Sequence, residues 1–257
     1  TAWMDIAGKF EIAPDAKYES ITVPTVDTVR SSYLLESLLF HHYRTLFTGP
    51  TGTGKSKIIY QKLLDELPKD KWDPICITFS AQTTELQAQM TVQDKLMKRT
   101  KTVRGPILGK QAVLFIDDLN MPEKEEFGAQ PPLELFRQFC DYQGWYDDNI
   151  FLKLADVQMV AAMGTPGGGA NVPTTRLTRH FNIIGFVPYD DSSLQRIFST
   201  IVTWWSRTNN LSAISKLIPK LIDATVDIYS TLKQQLKPTP EKSHYTFNLR
   251  DMSKVFG

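Results

Sequence analysis

The chain has 257 residues, 42% hydrophobic and 22% charged, with a formal net charge of +1, enough for one large domain plus a smaller one and ordinary for a globular protein. No apolar run approaches the length that spans a bilayer, the balanced charge supplies no field to gather nucleic acid, and the first residues lack the succession of a signal peptide. Cys76 and Cys140 show neither metal spacing nor the density of a disulfide scaffold and read as core residues of a reducing compartment, while a start at Thr1 reads as an excised module.

Turn chemistry around Pro14 and Asp15 gives way to a β-leaning Ile21-Thr22-Val23-Pro24 and then to a helical pattern through Val29, Tyr33, Leu34, Leu38 and Leu39. A segment placed just before a nucleotide-binding strand commonly lines the adenine, so Ile21, Val23 and Val26 are candidates, with plain core an equal reading.

Thr45 to Thr48 leads into Gly49-Pro50-Thr51-Gly52-Thr53-Gly54-Lys55-Ser56, and an amphipathic run with Ile58, Ile59, Leu63, Leu64 and Leu67 leaves it. Strand, glycine loop, helix is the setting a phosphate-binding P-loop requires. The glycines let backbone N–H groups turn inward as an anion nest, and the helix that follows points its positive end at the same place. Lys55, on an exposed loop, would reach the β- and γ-phosphates of ATP or ADP, and the Ser56 hydroxyl would hold Mg²⁺. Lys57 adjoins this candidate nucleotide-binding set. A glycine-rich connection that binds nothing is the alternative, and the full eight-residue pattern in this setting argues against it.

Pro74 to Ser80 reads as a buried parallel strand, followed by a polar helix through Leu86, Met90, Leu96 and Met97. Lys95, Lys98, Arg99, Lys101 and Arg104 form a basic cluster; with few aromatics interleaved, a solvated helix end is a better reading than a nucleic-acid surface. Ala112 to Ile116 is a second buried strand ending in Asp117 and Asp118, and an acid at the carboxyl end of such a strand can order Mg²⁺ or its waters. A helix N-cap would explain the two acids alone, but not their pairing with an upstream P-loop.

Leu133, Phe136, Phe139 and Cys140 share a helix face, Gly144 to Asp148 reads as a turn, Ile150 to Leu154 as a hairpin arm and Val157 to Met163 as another buried strand. Gly167-Gly168-Gly169 lacks the Lys-Ser/Thr pair of a second phosphate cradle and reads as a loop at the sheet edge. Arg176 and Arg179 precede Phe181 to Val187, the last strand. Strands alternating with helices predict a parallel α/β sheet. From Asp190 onward the pattern is helical only, through Trp205, then Leu217 to Leu232, with Arg250 at the start of a further helix.

A P-loop, an acid-tipped strand, arginines before the last strand and a helical lid with a late arginine resemble, in that order, an AAA+ ATPase module. The stretches at 49 to 56, 115 to 122 (Phe-Ile-Asp-Asp-Leu-Asn-Met-Pro), 128 to 132 (Gly-Ala-Gln-Pro-Pro), 161 to 169 and 243 to 251 are similar to a dynein heavy chain. Among its six linked modules they most resemble the third, in the axonemal branch. The resemblance implies a P-loop AAA+ domain with a five-stranded parallel sheet over residues 1–188 and a small all-α lid over 189–257. It also implies Lys55 and Ser56 as Walker A residues, Asp117 as the Walker B acid near Mg²⁺, Arg250 as the sensor-2 arginine, and Arg176 or Arg179 as an arginine finger acting in trans. Ordinary interface arginines are the other reading of the last two.

Two positions depart from the general AAA+ pattern. Asp118 stands where a water-polarising Glu is usual, one methylene shorter, and a displacement of about 1 Å in a positioning group can cost about 10²-fold in rate. The polar sensor-1 position falls at Met163 or Gly164, neither of which can orient a water. These departures predict dependable binding and slow hydrolysis by a regulatory module. An independently active P-loop ATPase is the second reading and a nucleic-acid-directed AAA+ protein a distant third. The implied partners are neighbouring modules of the same heavy chain, with microtubules engaged only through parts absent here and no membrane or nucleic acid expected. The implied location is the cytoplasm, cytoskeleton and axoneme of a cilium or flagellum.

Overall fold

In the computed structural model residues 2–8, 10–167, 170–211, 214–242 and 245–257 are described. Gly168 and Gly169 of the triple glycine, and Ser243 and His244 of the last motif, lie outside the described residues. In chain order the elements are α1 (Trp3–Ile6), α2 (Val26–Phe40), β1 (Thr45–Thr48), α3 (Lys55–Gln61), β2 (Trp72–Thr78), α4 (Glu85–Lys95), β3 (Met97–Lys98) and β4 (Val103–Gly105). They continue with β5 (Gln111–Asp117), α5 (Pro131–Tyr142), β6 (Gly144–Asp147), β7 (Ile150–Leu154), β8 (Val157–Met163), α6 (Thr175–Thr178), β9 (Asn182–Gly185), α7 (Asp191–Thr208), α8 (Ile218–Gln235) and α9 (Leu249–Phe256). None of the described helices is long and apolar enough to cross a membrane.

The chain divides into two compact units, residues 32–186 and residues 1–31 with 187–257. In the first, a five-stranded sheet has the order β2-β5-β8-β1-β9 with every neighbouring pair parallel. Such a sheet is covered on both faces, which is why β5 and β8 are continuous apolar runs rather than alternating ones. Side chains still alternate between the faces. Leu46, Leu114, Ile116, Met159 and Ala161 pack with Val92 of α4 and Phe136 and Phe139 of α5. Phe47, Val113, Phe115, Val160 and Ala162 pack with Leu35 and Leu39 of α2 and Ile59 of α3 on the other side. The register pairs Thr78 with Asp117, Met163 with Thr48, and Thr48 with Gly185. The carboxyl ends of the strands therefore share one rim, and the P-loop starts from it at β1, between β8 and β9.

A second sheet, in the order β3-β4-β7-β6, differs from the expected elements. The expected helix through Leu96 and Met97 stops at Lys95, because Leu96 turns to an extended backbone and buries its side chain while Met97 pairs with Gly105. Gly144–Asp147, expected as a turn, is a strand paired antiparallel to β7, with the turn itself at Asp148 in left-handed backbone. Trp145 is fully buried there, edge-on to Phe136 and Phe139, and that burial favours the strand over the local turn composition. The basic cluster does structural work on this sheet: Arg99 pairs with Asp156 at 2.5 Å and Arg104 donates to the Gln93 carbonyl at 3.2 Å.

In the other unit, Leu194 and Phe198 of α7, Ile218, Ile222 and Val226 of α8 and Met252 of α9 form one core. The N-terminal residues lie against these helices. Ile21 and Val23 pack on Ile201, Trp204 Nε1 donates to the Ala13 carbonyl at 3.1 Å and Tyr18 Oη to the Ser253 carbonyl at 2.9 Å. The expected division fell after residue 188; the first thirty-one residues share a unit with the helices beyond that point.

Candidate functional site: a phosphate loop at the sheet rim

The loop between β1 and α3 is folded by contacts that only its own residue types permit. Gly49 passes so close to the chain after β9 that a Cβ would stand 2.5 Å from the Phe186 carbonyl oxygen. Gly54 takes a left-handed backbone, φ +78°, at the cap of α3, where a side chain would be strained. Thr53 is buried, and its hydroxyl donates to the Pro50 carbonyl at 2.9 Å.

Lys55 was expected on an exposed loop; its side chain is instead 92% buried, at 8% exposure. Its Nζ donates to the carbonyls of Gly49 at 2.8 Å and Pro50 at 2.7 Å. A buried ammonium must be hydrogen-bonded, and the loop supplies the acceptors from its own backbone. Beside it the Ser56 hydroxyl donates to Asp117 Oδ1 at 2.8 Å, and the Asp118 backbone N–H donates to the same oxygen at 3.1 Å. Burial, followed by the Asp117 charge, raises the Cys76 thiol above its ordinary value.

This donor set fits a nucleoside polyphosphate with a divalent cation. Glycines that admit no side chain leave backbone N–H groups to face phosphate, an ammonium carries the opposite charge, and a hydroxyl next to a carboxylate is the oxygen pair that Mg²⁺ takes from protein. Asp118 does not share the burial of Asp117: it is exposed, in left-handed backbone with φ +54°. At the end of the neighbouring β8, Met163 is buried and Gly164 has open space where a side chain would begin.

The remaining candidates are dispersed. Thr51 and Lys57 are exposed on either side of the loop core. Arg179 is held within its own unit, its Nη2 donating to Asp141 Oδ1 at 3.0 Å, and His180 Nε2 lies 3.0 Å from the same oxygen. Burial works against the Asp141 charge, but the Arg179 bond and the charges of His180, Arg179 and Arg137 hold its carboxyl below the ordinary value. Arg176 is exposed and makes no side-chain hydrogen bond or ion pair among the described residues. Arg250, exposed near the start of α9, donates its backbone N–H to the Asn248 side chain at 2.8 Å, an N-cap bond. Ile21 and Val23 are buried on Ile201, and Val26, at the start of α2, is 45% exposed.

Residues 10–189 match the family model described as P-loop containing dynein motor region. The chain belongs to that family. It is 48% identical to dynein axonemal heavy chain 1 of Mus musculus over 99% of its length, 45% identical to dynein axonemal heavy chain 12 of Rattus norvegicus over 98%, and 46% identical to dynein axonemal heavy chain 3 of Homo sapiens over 95%. It spans 6% to 8% of the length of these curated relatives. A single P-loop module of a dynein motor region accounts for the sheet, the loop and the acid-tipped strand together.

Sequence reasoning missed Asn120, Gln130 and Asn171. Asn120 and Gln130 are 1% exposed; the Asn120 and Asn171 carboxamides bond across the loops that leave β5 and β8, and that of Gln130 bonds within the first. The Asn-Met-Pro and Gln-Pro-Pro stretches were visible, but nothing local said that they meet.

Proposed function

We propose that this dynein motor-region module binds ATP or ADP with Mg²⁺, cleaves ATP slowly, and regulates an axonemal dynein heavy chain in which it is the third of the linked AAA+ modules. The observation that carries the reading is the Ser56 hydroxyl held 2.8 Å from Asp117 beside a buried Lys55. On binding, Lys55 exchanges the Gly49 and Pro50 carbonyls for phosphate oxygens, so the loop holds an ammonium in position before the ligand arrives. The cation would be held by Ser56, with Asp117 ordering its waters, and would supply charge neutralisation on the phosphates.

Slow cleavage follows from what surrounds that grip. Asp118 is a short carboxylate on an exposed, left-handed residue, and Gly164 offers no side chain to align a water. Arg179 is tied to Asp141, which makes Arg176 the better candidate for a finger reaching a neighbouring module's nucleotide. Arg250 is the sensor-2 candidate. Ile21 and Val23 serve the core, which leaves Val26 as the adenine-lining candidate. The boundary between nucleotide-binding and lid parts lies near residue 188, and the partners are adjoining modules of the same heavy chain within the axoneme. Denaturing the purified chain and chromatographing what it releases tests the reading. ADP or ATP approaching one per chain is expected; no released nucleotide, together with no ADP binding by calorimetry, contradicts it.

A further inference from the structure

We propose that Asn120 and Asn171 form an amide latch that couples the acid end of β5 to the arginine-bearing α6, so that the state of this module's phosphate site sets the position of Arg176. The proposal rests on the nucleotide reading above and adds to it two positioning residues. Three residues beyond Asp117, Asn120 is 1% exposed, and its Nδ2 donates to the Gly164 carbonyl at 3.0 Å. Gly164 carries no side chain, and the Asn120 amide brings a polar group to the end of β8. Its backbone carbonyl accepts from the Asn171 N–H at 2.9 Å, and Asn171 Nδ2 donates to the Pro122 carbonyl at 2.8 Å. Asn171 thus grips the post-β5 loop by both main chain and side chain. Gln130 Nε2, at the start of α5, donates to the same Pro122 carbonyl at 2.7 Å.

From Asn171 the path to Arg176 is short and stiff. Pro173 is buried, Thr174 opens α6, and Leu177 is fully buried. The Leu177 and Thr178 N–H groups both donate to the Thr174 carbonyl, at 3.1 and 3.2 Å. A displacement at Asp117 is therefore carried through 118 to 120, across the latch and into α6. The latch also has a reason to move. Among the described residues nothing donates to the buried Asn120 Oδ1 or Gln130 Oε1, and a buried unpaired acceptor costs free energy that another arrangement can relieve. A carboxamide suits this place because it donates to the Gly164 carbonyl without adding charge near Asp117. At 1% exposure Asn120 acts through Asp117 and Gly164 rather than on the nucleotide itself.

Amide hydrogen exchange of residues 171 to 180, followed by mass spectrometry in Mg·ADP and in Mg²⁺ with a slowly cleaved ATP analogue, tests the coupling. In the wild type the exchange of the Leu177, Thr178 and Arg179 amides should differ at least about threefold between the two ligands. In Asn171→Ala that difference should vanish while ADP affinity by calorimetry stays within about threefold of wild type. Asn171→Asp keeps the shape and the backbone bond to Asn120 but loses the donor to Pro122, and it should lose the response in the same way should Asn171→Ala melt early. A variant that binds ADP and keeps the wild-type response overturns the latch. ADP binding by the wild type with no change at α6 overturns this proposal alone, whereas no ADP binding at all overturns the nucleotide reading and the latch with it.

Discussion

The half of the rim that would grip phosphate and the half that would turn water on it are built to different standards. Lys55, Thr53 and Asp117 are at least nine-tenths buried, at 8%, 4% and 9% exposure, and each makes a hydrogen bond. On the same rim, Asp118 is exposed and Gly164 has no side chain in a place with room for one. Electrostatic groups that are held in place before the ligand arrives cost little reorganisation when it does. The contrast teaches that burial can change abruptly along one rim: Asp117 and Asp118 are neighbours at the end of β5, yet only the first is buried and bonded to Ser56.

The largest effect should come from the gripping half. Lys55→Ala removes a buried charge-assisted donor and should weaken ADP binding by about 100-fold, since such bonds contribute roughly 1.5–3 kcal/mol. Calorimetry checks it, with circular dichroism to confirm the fold; unchanged affinity would break the comparison at its stronger side. Gly49→Ala should come next. It drives a Cβ into the Phe186 backbone and should cost about 2 kcal/mol in urea unfolding, as steric strain at a fixed backbone does.

Repairs to the weak half sharpen the comparison from the other direction. Gly164→Asn enters open space, and Asp118→Glu restores the missing methylene. Each alone should raise steady-state phosphate release only about two- to fivefold, and the pair by more than the product of the two, because groups that act as a unit are not additive. A large rise from Asp118→Glu alone would mean that reach, not the missing set, limits the rate. The smallest effect lies away from both halves. Burial lowers the His180 imidazole below its ordinary value, Asp141 opposing and Arg179 and Arg44 assisting. A histidine lowered in the folded chain contributes stability above its unfolded value of about 6.5 and loses it as pH falls. The melting temperature should therefore decline between about pH 7 and 5, and His180→Gln should flatten that decline.

Much of this was legible in the residues because it was encoded locally. The octapeptide from Gly49 to Ser56 fixes its own setting, and the apolar runs ending at Asp117 and Met163 read as buried parallel strands because both faces are covered. The misses depend on packing that local composition does not display. Gly144 to Asp147 has turn composition, and pairing with β7 together with the burial of Trp145 against Phe136 and Phe139 makes it a strand. Lys55 looked exposed because a loop lysine usually is; the carbonyls that bury it belong to the loop's own curvature. Asn120 and Asn171 lie far apart in the chain, and no spacing rule brings them together. The attachment of the first thirty-one residues to the C-terminal helices was likewise invisible to a reading that took the chain in order.

The separation of binding from cleavage is tested most directly by measuring, on one preparation of the chain, Mg·ATP affinity and steady-state phosphate release at saturating Mg·ATP. Without a neighbouring arginine, a contribution worth about 10³–10⁵ in rate, the expected result is firm binding with turnover roughly at or below one per minute. Turnover of several per second by the isolated chain would contradict the account and make it an active ATPase in its own right.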